Sequence, residues 1–192
     1  QKYEQAQKLK LELDGLKHIH ESAFVVNGES AITISTSNLK MECYDIANIG
    51  DESIVGAMVV TIGDMLKPSL YRKFRIKTLT QQNDVGALAE MVDRRLNHAE
   101  WMFPDCIVVD GGIGQVNAIR EILHIRDVVI PVIGVIKGPK RNKSMLVGDV
   151  SYITANKITL KTLSILRDEA HRFVQKYFHT LRTRTLRSTV HR

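Results

Sequence analysis

The chain has 192 residues, 44% of them hydrophobic, 25% charged and only 4 proline, which fits one packed globular domain with a short extra element and excludes a fibrous or disordered polymer. Its net charge of +6 is segregated. Residues 171–192 hold Arg172, Lys176, Arg182, Arg184, Arg187 and Arg192 with no Asp or Glu, and the remaining 21 of the 27 Lys and Arg residues balance the 21 acidic ones. A basic end of this kind favours a polyanionic partner, a nucleic acid or an acidic membrane surface. The longest apolar run, VVIPVIGVI at residues 128–136, is broken by Pro131 and is far short of the roughly 20 residues that span a bilayer. The opening QKYEQ has neither an initiator Met nor an apolar signal core, and is expected to be an internal start in a cytoplasmic protein.

Along the chain, Tyr3, Ala6, Leu9, Leu13, Leu16 and Ile19 recur at helical spacing, an amphipathic stripe that a partner helix or the domain itself would cover. Residues 23–39, with Asn27-Gly28 and a Ser/Thr/Asn cluster, are expected to form a hairpin or linker. Three β-rich stretches follow, MECYDIANI, SIVGAMVVTIGD and SLYRKFRIKTL, with short turns that predict antiparallel pairing. Asn83 and Asp84 are placed to cap a helix to about His98, with Val85, Leu88, Met91, Val92 and Leu96 on one face. CIVVD then predicts a buried strand ending in Asp110-Gly111-Gly112, followed by a helix from about Gly114 to His124. VVIPVIGVI predicts another buried strand, with a hairpin near Gly148 after it. The last element is a long helix from about Lys161 to Leu186, carrying Leu163, Leu166, Ala170, Phe173, Val174, Tyr177 and Leu181 as its stripe. The order β-β-β-α-β-α-β-α predicts an α/β fold of the ribonuclease H-like kind, a mixed five-stranded sheet flanked by helices.

Two carboxylates stand out. Asp45 interrupts an apolar strand, where a lone charge is costly. Asp110 ends the fourth strand, and if the first and fourth strands are neighbours the two project side by side at the point where open α/β sheets place their sites. Such a pair either has one raised pKa or binds a cation, for which Mg²⁺ or Mn²⁺ suits oxygen ligands. His171, in RDEAHRF, lies at the edge of the last helix's apolar stripe and is a candidate third ligand or water-orienting group. The loop from Asp110 to Gln115 matches neither a dinucleotide fingerprint nor a P-loop. Cys43 and Cys106 lie in strand-like runs and are expected to be buried, reduced thiols.

The segments YDIANI, VGAMVV, YRKFRI, DVGALAEMVDRRL, PDCIVVDGGIGQ, PVIGVIKG and RDEAHRF, in that order, resemble the carboxy-terminal endonuclease half of UvrC, the incision subunit of bacterial nucleotide excision repair. The resemblance runs over roughly residues 40–185, and QKYEQAQKLKLELDGLKH is similar to part of the UVR motif through which UvrC meets UvrB. It implies a partial UVR-type helix at 1–22, a linker or hairpin at 23–39, the ribonuclease H-like endonuclease domain at 40–186 and a basic tail at 187–192. It further implies a metal-dependent cut of the damaged strand 5′ of a lesion, with Asp45, Asp110 and His171 at the family's catalytic, metal-holding positions. Damaged double-stranded DNA and UvrB, with UvrA acting upstream, are the implied partners, and no membrane is. Arg72, Lys73, Lys137, Lys140, Arg141, Arg172, Arg182 and Arg184 are the expected phosphate contacts. Two positions depart from the family pattern: Asn48 stands where a His is usual, and Ile113 where Lys follows the Asp-Gly-Gly motif. They motivate an alternative, a DNA- and UvrB-binding module with weak catalysis.

Overall fold

The computed structural model of the chain describes residues 24–27, 38–49, 53–77, 83–137 and 143–190. The helix expected at 1–22 lies outside the described residues. The strands are β1 (Phe24–Asn27), β2 (Lys40–Ile49), β3 (Ser53–Ile62), β4 (Met65–Leu66), β5 (Arg72–Arg75), β6 (Cys106–Asp110), β7 (Val132–Lys137) and β8 (Lys143–Gly148). The helices are α1 (Asp84–Leu96), α2 (Ile113–Ile125), α3 (Val150–Ala155) and α4 (Leu160–Val190), with one 3-10 turn at Pro68–Leu70. All strands join one sheet in the order β1-β8-β7-β6-β2-β3-β4, with β5 also on β3. The five expected strands, β2, β3, β5, β6 and β7, form its ribonuclease H-like core, and β1, β4 and β8 extend it.

β2 and β3 pair antiparallel over ten residues, from Lys40 opposite Ile62 to Ile49 opposite Ser53. On its other side β2 pairs parallel with β6, Met41 through Tyr44 opposite Cys106 through Val109. β6 in turn pairs parallel with β7. Val108, Val109, Ile133 and Val135 are all buried, as residues of central parallel strands covered on both faces must be. The run VVIPVIGVI yields a strand only from Val132, because Pro131 cannot donate to a ladder. The hairpin expected near Gly148 lies before it: β8 returns antiparallel to β7, and Gly148 ends that strand with φ +92°, a conformation suited to glycine.

Alternation along β2 sends side chains to opposite faces. Lys40, Glu42, Tyr44 and Asn48 face α1, whereas Cys43, Asp45 and Ala47 face α4. α1 begins as expected, its N-cap Asn83 accepting from the Gly86 amide at 2.9 Å. Its buried face is Ala87, Leu88, Met91, Val92 and Arg95, so Val85 is exposed instead of packed. The helix lies close to the sheet because Gly56 has no Cβ: one would sit 2.0 Å from Met91 Sδ. α4 buries Leu163, Leu166, Ala170 and Val174 on the other face, and its first turn is pinned where Thr162 donates to Asp64 Oδ1 at 2.5 Å. Its backbone continues to Val190, into the segment expected to be a tail.

Arg95 has a partner no sequence pattern marked. Its Nη2 lies 3.0 Å from Glu42 Oε1 and its Nε 3.1 Å from Oε2, and the two residues are 1% and 0% exposed. Lys40 Nζ at 2.9 Å and the Tyr44 hydroxyl at 2.7 Å complete the shell around Glu42. Arg95 also donates to the carbonyls of Trp101 and Met102. Removing one member of a buried pair strands the other charge, at a cost of about 3–5 kcal/mol. Arg95→Ala is therefore expected to lower unfolding stability by about that much, read from the urea midpoint by circular dichroism; a loss below about 1 kcal/mol would contradict this.

Candidate active site

The β2–β6 register places the chemistry. The last registered pair is Tyr44 opposite Val109, and the next residue on each strand is an aspartate. Asp110 closes β6 and is exposed, and Asp45 lies within β2 with its side chain 13% exposed. α4 crosses the same face and brings His171 in from above. His171 follows the buried Ala170, so it stands about 100° round the helix at the margin of the packed stripe. Its Nδ1 is 3.0 Å from Asp45 Oδ2, and Asp45 Oδ1 accepts from the Ile46 amide at 2.8 Å. Donor atoms from Asp45, Asp110 and His171 all lie within 4.8 Å of one another.

Burial holds the Asp45 carboxyl above its ordinary value, and the nearby Asp110 charge adds to that rise; the Ile46 amide and His171 oppose it. Cys43, two residues earlier on the same face, is fully buried, which pushes its thiol well up. Asp45 and Asp110 push it further and Arg167 opposes them. It is a packed thiol, as is Cys106, and both are unbridged. The donor set, two carboxylates and an imidazole at one water-facing end of the sheet, fits a hard divalent cation. A cation there would offset the burial cost at Asp45.

The turn after Asp110 depends on a distant glycine. A Cβ on Gly134 of β7 would lie 2.5 Å from the Gly111 carbonyl oxygen and 2.6 Å from Val147 Cγ2, so only glycine lets that turn settle against the sheet. A lone glycine in an apolar strand was the one sequence sign of it. Gln115 steadies the turn by accepting from the Gly112 amide at 3.0 Å.

Of the two departures from the family pattern, Asn48 lies on the other face of β2 from the cluster, the α1 face, donating to Asp84 Oδ1 at 3.2 Å at that helix's first turn. Ile113 begins α2 and packs on the core.

The expected DNA contacts divide. Lys73 is on the face of the cluster, its ammonium 5.3 Å from the Phe173 ring and 5.1 Å from Tyr177. Arg172 follows His171 and holds Glu169 through two bonds of 2.7 Å, and Arg182 is exposed further along α4. Arg72 points to the opposite face, where it stacks 4.6 Å from the Trp101 ring and donates to the Tyr71 carbonyl. It does not join the site residues. Lys140, Arg141 and the side chains of Lys137 and Arg184 lie outside the described residues. Among the described residues no helix is long and apolar enough to cross a membrane.

The model for the UvrC RNAse H endonuclease domain matches residues 29–174. The UvrABC system protein C of Clostridioides difficile (strain 630) is 34% identical over 154 residues, covering 79% of this chain and 25% of that protein. That of Acetivibrio thermocellus is 33% identical over 174 residues, covering 79% and 28%. The chain thus spans about a quarter of the length of these curated relatives. In fold it is similar to the crystal structure of endonuclease V from Streptomyces avermitilis, with a TM-score of 0.52 at 14% identity over 93% of each chain.

The raised Asp45 carboxyl has a stability consequence. A folded-state value above the unfolded one favours the protonated fold; that advantage is full below the ordinary carboxylate range and is lost as pH rises through the folded value. Asp45→Asn in EDTA is therefore expected to melt above wild type near neutral pH, the gap closing below about pH 3.5. An equal or lower melting temperature near neutral pH would contradict it.

Proposed function

The chain belongs to the family of UvrC RNase H endonuclease domains, and from that premise we propose that it is a metal-dependent DNA endonuclease domain of nucleotide excision repair, cutting the damaged strand 5′ of a lesion. The observation that carries the reading is the convergence of Asp45, Asp110 and His171 within 4.8 Å.

In this reading Asp45 and Asp110 hold Mg²⁺ or Mn²⁺, with His171 as a third ligand or as the group that handles a proton. The ion, when bound, polarises the scissile phosphate and makes an attacking water more acidic. The protein's part is to fix the donors beforehand. The Ile46 amide orients one oxygen of Asp45, and His171 Nδ1 shares the other. With its Nδ1 hydrogen directed at Asp45, His171 keeps Nε2 to accept a proton from water. Lys73, Arg182 and the further basic residues of α4 neutralise backbone phosphates, contacts that carry no base information and suit cutting at any sequence.

The full proteins' partners, UvrB and lesion-bearing DNA, are carried to this chain as part of the proposal, since it covers only about a quarter of those relatives. The alternative, a binding module with weak catalysis, drew on Asn48 and Ile113. The convergence of all three donors at the cluster favours the nuclease.

The test is nicking of a lesion-bearing plasmid with UvrA and UvrB in Mn²⁺. Wild type is expected to nick, and Asp110→Asn to lose about a hundredfold or more in rate. Equal nicking by both would remove Asp110 from catalysis, and no metal-dependent nicking by wild type would leave the binding module.

A further inference from the structure

We propose that Arg167 is a ligand for the DNA phosphate beside the bond that is cut, placed for it one helical turn before His171 on the same stripe of α4. The proposal rests on the nuclease reading and adds a substrate contact to it.

Arg167 and His171 are four residues apart on α4, so they share one stripe of the helix. Four helical residues rise about 6 Å, close to the roughly 6.6 Å that two strand residues span. With His171 bonded to Asp45, Arg167 therefore stands beside Cys43, two residues back along β2.

The side chain is only 14% exposed. A guanidinium so covered needs compensation, yet the acceptor it uses is a weak one: its Nε and Nη2 donate to Asp168 Oδ1 at 3.1 and 2.7 Å, and Asp168 is 68% exposed. A pair with so exposed a carboxylate contributes about 0–1 kcal/mol. A guanidinium carries five N–H donors, so most of the fork is still available. The two non-bridging oxygens of a phosphodiester match that fork better than any other anion the site would meet. Asp168 holds the side chain between substrates and gives way to the phosphate.

The test measures binding, not cleavage. Affinity for a fluorescein-labelled DNA duplex is followed by anisotropy over a salt series in Ca²⁺, an ion that carboxylates accept. Wild type is compared with Arg167→Gln, Arg167→Lys and Lys161→Gln, the last removing an exposed charge in the first turn of α4. Arg167→Gln is expected to bind about tenfold weaker or worse, with the slope of log affinity against log salt shallower by about one. Arg167→Lys should keep the slope and lose affinity, and Lys161→Gln should match wild type. An unchanged slope in Arg167→Gln, or an equal loss in Lys161→Gln, overturns the proposal. If Arg167→Gln does not fold, the lysine variant decides, and wild-type affinity in it overturns the fork contact. Failure of wild type itself to bind would reject the nuclease reading, visible as a loss common to all four chains.

Discussion

The parallel pairing of β2 with β6 is the constraint on which everything else depends. β2 is where the sheet changes character, antiparallel to β3 on one side and parallel to β6 on the other. A parallel neighbour requires a crossover, and the chain supplies it through α1. Because both strands run the same way, the carboxyl end of β6 lies beside the middle of β2, and the residues that meet there are Asp110 and Asp45. A slip of one residue would turn one carboxylate to the opposite face and dissolve the site.

That register is held from the other end. The Lys40 amide donates to Asp105 Oδ2 and the Asp105 amide to the Lys40 carbonyl, both at 2.8 Å, closing β2 against the start of β6. Glu42, two residues on, gathers Lys40, Tyr44 and Arg95, and Arg95 reaches the loop that leads into β6 through the carbonyls of Trp101 and Met102. This buried ionic cluster lies on the α1 face, and the aspartate pair on the α4 face. One satisfies its charges internally and fixes the strands. The other leaves Asp45 with a carboxylate that burial disfavours and an edge open to water, a combination that a cation and a phosphate can complete.

Much of this was legible in the sequence because the period of apolar residues is local. The five core strands, the three long helices, the N-cap Asn83 and the stripe of α4 all announce themselves within a dozen residues. Asp45 and Asp110 could be paired because an aspartate in an apolar strand and another at a strand end fit one topology. What stayed hidden depended on partners far along the chain. Arg95 reads as an ordinary charge near a helix end until Glu42, 53 residues away, meets it. β4 is two residues long and β8 follows a basic stretch, so neither has a period to detect. Gly134 matters through the Gly111 carbonyl, and Arg72 points away from the site because strand alternation, not charge, decides its face.

The central claim is that the point where β6 ends beside Asp45 of β2 is a divalent-cation site. It is tested most directly by a crystal of the chain soaked in Mn²⁺ and measured at the manganese absorption edge. One or more anomalous peaks are expected between Asp45 and Asp110 with His171 within reach; no peak there, with manganese bound elsewhere or the two carboxylates turned apart, would contradict the claim.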